Sequence, residues 1–293
     1  MTRRSNTITL VLIAALSGVG GCGAPEHDAE LPLRVMTYNI RYNNPGDGPS
    51  AWPYRKDQLA SLIRFVDADV VGLQEALRGQ VDDLERLLPE YAWTGVGRDD
   101  GADAGEFTPV FYRRDRIEIR DTGTMWLSET PEVVGSTGWD AALPRIATWV
   151  TASRRGGEEF LFFNTHFDHI GAEARSNSAS LLADTVAALS EGRMTIVLGD
   201  FNSTPDTEPY QILVRTLNDA RVVAVDRFGP AETFFGFLVA DTAGVSIDHI
   251  FIDEGTSVDR TAVLSEQHRG RYLSDHLPVV ADVRPTPTAR DAD

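Results

Sequence analysis

Six short polar clusters interrupt the apolar runs of this sequence: Thr37-Tyr38-Asn39, Leu73-Gln74-Glu75, Asn164-Thr165-His166-Phe167-Asp168, Gly199-Asp200-Phe201-Asn202, Ile247-Asp248-His249-Ile250 and Ser274-Asp275-His276. Together they hold carboxylates, amides and imidazoles, which is the set that phosphate-ester hydrolysis needs. Hard cations such as Mg²⁺ or Mn²⁺ take oxygen ligands, and Mg²⁺ typically uses one or two carboxylates while keeping positions for water and substrate phosphate. Asn39, Glu75 and Asp275 offer such oxygens. Neutral donors and imidazoles disperse the charge of the phosphate, and a carboxylate or a His–Asp pair activates water. His166, Asp200, Asn202, Asp248 and His276 cover those roles. Taken singly, each cluster has a plainer reading: Asn39 as a turn residue, Glu75 as a solvated strand end, Asp200 as an Asx-turn former, Asp248 as the partner of a nearby arginine. Their combination is what points to chemistry.

Residues this far apart in sequence must be brought together by strand ends. Leu33 to Tyr38 alternates like a strand, and the Asn, Gly and Pro residues of 41–53 make a loop. Leu59, Leu62, Ile63 and Val66 recur at helical spacing within 55–66, and 69–74 is a mostly apolar strand. A second helix is expected around 80–88. Strands follow at 107–112, 117–127, 146–152 and 160–163, then a helix over 172–189, a short strand at 195–198 and a helix over 208–217. The last strands are 246–252 and 277–283. This order, without internal repeats, predicts one α+β domain of two sheets packed face to face with helices outside.

In the same order, the six clusters resemble the motifs of the endonuclease/exonuclease/phosphatase superfamily, from about Leu33 to Val283. The resemblance implies a four-layer α/β/β/α sandwich of two packed mixed β-sheets and a divalent-metal phosphohydrolase. It implies metal ligation by Asn39 and Glu75, with Asp275 joining them or holding a second ion. It makes His166 a donor to the phosphate or leaving oxygen, and has Asp200 and Asn202 orient water and phosphate. Asp248 would fix His276, whose other nitrogen faces the phosphate. Arg145 stands where many members have an arginine near the site, with a surface or ion-pair role as the alternative. Tyr112 matches a site-facing tyrosine of some branches, with a core role as the alternative. His169, Arg175, Asn43 and Trp52 are further residues that could line a substrate pocket or simply build loops.

The 293 residues, 42% apolar and 24% charged, suit a soluble globular protein, and a single cysteine excludes internal disulfides. Residues 1–22 read as an export signal: Arg3 and Arg4 precede an apolar run at 8–16, and Val19-Gly20-Gly21-Cys22 resembles the cleavage box of bacterial lipoproteins. The expected organisation is a leader ending at a lipidated Cys22, a tether over 23–31, a catalytic domain over 32–284 and a disordered tail over 285–293. The protein would then be an exported monomer held at a bacterial membrane by its lipid, or else secreted.

Net charge is −17, and removal of the leader arginines makes it −19. Such a chain repels polyanions at long range, and with Lys56 as the only lysine it has no basic stripe for nucleic acid. A small phosphoester, or a lipid or glycan headgroup, is therefore the expected substrate ahead of DNA or RNA, with a secreted endonuclease as the alternative. Serine hydrolases, zincins and nucleotide kinases are set aside because Gly-x-Ser-x-Gly, His-Glu-x-x-His and a loop ending in Gly-Lys are missing. A glycosidase pair of Glu75 and Asp200 would leave the Asn and His clusters idle. A non-catalytic binding module on the same fold would be expected to have lost some of these positions, and all are present.

Overall fold

The computed structural model describes residues 31–239 and 244–286. The expected leader, Cys22 and nearly all of the tether and tail lie outside these residues. Seven strands form one sheet in the order β10 (Asp226–Phe228), β12 (Thr256–Val263), β15 (Val279–Pro285), β1 (Leu33–Asn39), β2 (Val70–Gln74), β4 (Val110–Arg113) and β3 (Tyr91–Thr94). Six form a second sheet in the order β5 (Ile117–Trp126), β6 (Ile146–Arg154), β7 (Glu159–His166), β8 (Met194–Asp200), β11 (Asp248–Ile252) and β9 (Asn218–Asp219). A small hairpin pairs β13 (Gln267–His268) with β14 (Arg271–Tyr272).

Three apolar cores separate four layers. Val35, Val70, Phe162, Leu198, Ile250 and Val279 meet between the sheets. Met36, Tyr38 and Leu73 face outward onto α1 (Lys56–Val66) and α2 (Arg78–Leu87), through Leu59, Ile63, Val81 and Leu84. Phe163, Val197 and Phe251 face outward onto α3 (Ala172–Ser190) and α4 (Glu208–Leu213), through Leu182, Val186 and Leu213. A short α5 (Ala220–Val223) seals the sheet edge with Ala220. Because both sheet faces are covered, β2 is buried along its whole length and reads in sequence as a continuous apolar run. Each such buried aliphatic side chain contributes roughly 1.5–3 kcal/mol, so the cores hold the fold without disulfides. The expected four-layer α+β sandwich is what the chain forms.

Several boundaries and one strand differ from the sequence reading. The strand expected at 107–112 begins only at Val110, since Pro109 has no amide hydrogen to give the ladder; Phe107 makes isolated bridges to Ala76 and Gly97 instead. Helix α4 stops at Leu213 rather than Leu217, and Asn218–Asp219 pairs with β11. Strand β12 was not anticipated, because Asp259 and Arg260 break its apolar alternation at a bulge between Val258 and Arg260.

The close approach of the sheets has a local requirement. A Cβ on Gly72 would lie 2.3 Å from Leu198 and 2.7 Å from Asn164, so only glycine admits the facing sheet there.

Candidate active site

Strand periodicity places the site. Successive residues of a strand point to opposite faces, and the inner face carries Val35 on β1, Phe162 on β7, Leu198 on β8 and Ile250 on β11. Continuing the same alternation puts Asn39, His166, Asp200 and Asp248 on the inner face at one rim. The registers align them: Asn39 is opposite Gln74, His166 opposite Asp200, and Asp200 opposite Asp248. Asp275 and His276 arrive just before β15, which runs antiparallel to β1. His249 falls on the other face, where Nε2 lies 3.0 Å from the Ser203 carbonyl, and takes no part.

Beneath the rim, a buried amide network joins the sheets. Gln74 Nε2 donates to Asn164 Oδ1 at 2.6 Å and to Thr37 Oγ1 at 3.1 Å, while Asn164 Nδ2 donates to the carbonyls of Leu73 and Pro109. These bonds fix the strand ends against each other, so the polar side chains above them are pre-positioned.

One half of the site is rich in oxygen. Asn39 Nδ2 donates to Glu75 Oε1 at 3.1 Å and to Asp200 Oδ2 at 2.9 Å. Glu75 sits at φ 60, a left-handed conformation that costs a non-glycine residue of order 1–3 kcal/mol and that clusters at functional sites. Its Oε2 accepts from the Tyr42 amide at 3.0 Å. Arg41, which the motif reading missed although it lies two residues after Asn39, places its guanidinium 3.8 Å from both Glu75 and Asp275. Burial raises the Asp275 carboxyl above its ordinary range against the pull of His276, and the charge of Glu75 adds to the rise. Two carboxylates and an amide, nearly dry and gathered around one cation, are a donor set that suits a hard divalent metal. Asn39, Glu75 and Asp275 would hold it, and bound there it would polarise the phosphoryl oxygens.

The other half is a proton-handling group. Asp248 Oδ2 and His276 Nδ1 are 2.8 Å apart, both residues buried, and His276 Nε2 is 3.7 Å from Asp200 Oδ2. Asp200, Asp248 and His276 each place a ligand-type atom within 4.8 Å of the others, a grouping of three such residues that could itself accept a metal. Burial opposes charge on His276, but the charges of Asp248 and Asp200 and the Asp248 hydrogen bond overcome it and hold the imidazolium well above the usual imidazole range. A protonated ring has no lone pair for a metal, so in this state His276 acts as a donor of protons and hydrogen bonds and the two carboxylates accept them. Burial, then the charge of Asp248, raises the Asp200 carboxyl to about 7, despite His276, the Asn202 amide and Asn39. A carboxylate tuned there can take a proton from an attacking water at neutral pH. Asn202, at φ 46, donates its backbone amide to Asp200 Oδ1 and its side chain to the Phe167 carbonyl, which orients it towards this group.

His166 lies 3.6 Å from Asp200 and 3.8 Å from Glu106. Burial, then the charges of Arg145 and Arg98, lower its pKa well below the imidazole range, so it is a neutral ring. Arg98 and Glu106 were not singled out in the sequence. They form a 2.6 Å ion pair lining a narrow cleft with His166 and Arg145, and no spacing signal marks them because both come from the loop between β3 and β4.

The four residues considered for substrate contact separate. Arg145 is buried in that cleft, bonded through Nε to Asp168 at 3.2 Å and through Nη2 to His169 at 2.8 Å, while its buried Nη1 has no partner. His169 is exposed beside it. Arg175 instead donates to the Asp168 carbonyl and supports the loop. Tyr112 is not at the rim: its partner Val70 begins β2, the end far from Glu75, and the ring packs on the inter-sheet core. Of the loop residues, Trp52 is buried with its indole nitrogen bonded to Asp83.

Comparison with known proteins agrees with this fold. The Endonuclease/Exonuclease/phosphatase family profile matches residues 36–276. A solved structure of an endonuclease/exonuclease/phosphatase from Bacteroides vulgatus is 40% identical, with TM-score 0.84, over 87% of this chain and 99% of that one. The mannosyl-6-phosphatase of Bacteroides thetaiotaomicron is 38% identical, with TM-score 0.84, over 86% of this chain and 99% of that one. An uncharacterized protein, R895, of Acanthamoeba polyphaga mimivirus is 21% identical over 251 residues, 70% of this chain, which spans 36% of that relative's length. The match runs through every cluster from Asn39 to His276, and the chain belongs to the Endonuclease/Exonuclease/phosphatase family of phosphoester-hydrolysing enzymes.

Proposed function

We propose that this protein is a Mg²⁺- or Mn²⁺-dependent phosphomonoesterase acting outside the cytoplasm on a sugar phosphate, free or carried on a glycan. The observation that carries the reading is the pairing, at one rim, of the oxygen set Asn39, Glu75 and Asp275 with the buried group Asp200, Asp248 and His276. Asp200 takes the proton of the attacking water, while imidazolium His276 and neutral His166 donate to the phosphate and the leaving oxygen. Asn39 and Asn202 hold these groups in register. The likeness to a mannosyl-6-phosphatase supports a sugar monoester. Charge supports a small substrate, since the chain carries −17 and its single lysine is engaged by Asp83, whereas duplex DNA is bound through many cationic contacts.

The deciding comparison is kcat/KM with Mg²⁺ at physiological salt for mannose 6-phosphate, a phosphodiester headgroup and plasmid DNA. Preferred turnover of the sugar phosphate is expected, and efficient DNA nicking without it would replace this reading by a secreted nuclease. The leader supports export and anchoring through a lipidated Cys22. Cys22→Ser should release the protein from the membrane fraction or block its processing, and unchanged membrane association would refute the anchor.

A further inference from the structure

A pocket of about 660 Å³ lies between the 43–55 loop and the β13–β14 hairpin, and its lining has an unusual charge for this chain. The sequence has 44 acidic residues against 27 lysines and arginines, yet among the described residues no acid lines the pocket, while Arg55, His268, Arg269 and Arg271 do. Arg55 is committed inward, donating to the carbonyls of Ser50, Ile40, Arg41 and Leu273. Arg269 and Arg271 are exposed, and among the described residues neither side chain has a hydrogen bond or a carboxylate partner. Arginines elsewhere in the fold are typically held by carboxylates, as Arg34 is by Asp282 and Arg113 by Asp115.

The pocket lining is joined along the chain, at Asn43 and at Leu273, to the oxygen-rich half of the active site. One wall continues from Asn39 through Tyr42, whose amide holds Glu75, to Asn43. The other runs from Arg271 into Leu273, two residues before Asp275. Arg55 bonds both walls together and forms the floor. Tyr54, 72% exposed, adds an aromatic face at the mouth.

We propose that this pocket is a subsite for a second anionic group, a phosphate or carboxylate, carried by the alcohol part of the phosphoester. Arg269 and Arg271 bind that group while the scissile phosphate lies at Asn39, Glu75 and Asp275. Planar guanidinium forks match either oxyanion. The inference rests on the phosphomonoesterase reading for the position of the scissile phosphate.

Binding is measured calorimetrically without added divalent metal in a Glu75→Gln background, where turnover is suppressed, with 6-phosphogluconate, glucose 1,6-bisphosphate and glucose 6-phosphate as probes. The two doubly anionic probes should bind more tightly than glucose 6-phosphate. Arg269→Gln with Arg271→Gln should reduce that preference about tenfold, as expected for two solvent-exposed charge contacts, and added salt should reduce it further. Arg215→Gln, which removes an exposed arginine outside the pocket, should leave it unchanged. A preference indifferent to Arg269 and Arg271 overturns the subsite, even if the wild-type protein releases phosphate from all three compounds. A preference that follows the two arginines, in a protein that releases no phosphate from any of them, upholds the subsite and overturns the phosphomonoesterase reading.

Discussion

The side-chain amide of Asn39, at the end of β1, donates to Asp200 Oδ2, at the end of β8, over 2.9 Å between the two sheets. The same nitrogen reaches Glu75 Oε1 at 3.1 Å, so one amide joins the carboxylate assigned to the metal with the one assigned to the proton. Asn39→Ala removes both bonds and leaves Asp200 buried with a lost donor. Leaving such a group unsatisfied costs about 1–3 kcal/mol. Urea unfolding should show a loss of that size together with reduced turnover; an equally stable Asn39→Ala protein would show that the bond does not hold the sheets in register.

Asp248 and His276 are 2.8 Å apart in a buried pair. The carboxylate fixes the tautomer of the ring and stabilises its charged form. Asp248→Asn or His276→Gln should each lower kcat by ~10² or more, and the double variant should lose little beyond the worse single one. Strict additivity of the two losses would mean that they act separately.

Asp168 offers a pH signature away from the catalytic group. Burial opposes its ionisation, but the amides of Gly171 and Ile170 and the Arg145 guanidinium prevail and hold its pKa at about 2. Since the folded value lies below the unfolded one of about 3.9, the unfolded chain binds more protons, and Asp168 stabilises the fold above that range. Its contribution should be lost as pH falls from about 4 towards 2. The difference in unfolding free energy between wild type and Asp168→Asn should be level from neutral pH down to about 5 and shrink below; a difference independent of pH would contradict the assignment.

Much of the site was legible because period-2 alternation is set by the backbone. Once Val35 and Leu198 face the inner core, Asn39 and Asp200 must share that face. Arg41, Arg98 and Glu106 were not legible. Their roles come from loop paths that bring them against Glu75, Asp275 and His166, and a loop's path is decided by distant contacts such as the bonds of Arg55 to Ile40 and Leu273. Tyr112 misled because its neighbours in sequence fit a site-facing position, whereas strand register pairs it with Val70 at the far end of β2. Strand β12 was hidden by its charged residues, one of which, Arg260, bonds Asp282 on the neighbouring strand.

The central claim is that a divalent cation held by Asn39, Glu75 and Asp275 is required for phosphate release from a sugar monoester. It is tested most directly by measuring inorganic phosphate released from mannose 6-phosphate by extensively chelated protein, before and after Mg²⁺ is restored, for wild type and Glu75→Gln. Wild type should be silent when chelated and regain full turnover with Mg²⁺, while Glu75→Gln should stay at least ~10²-fold slower at every Mg²⁺ concentration, a loss of about 2.7 kcal/mol in transition-state stabilisation. Full activity of the chelated wild type, or of Glu75→Gln, would contradict the account.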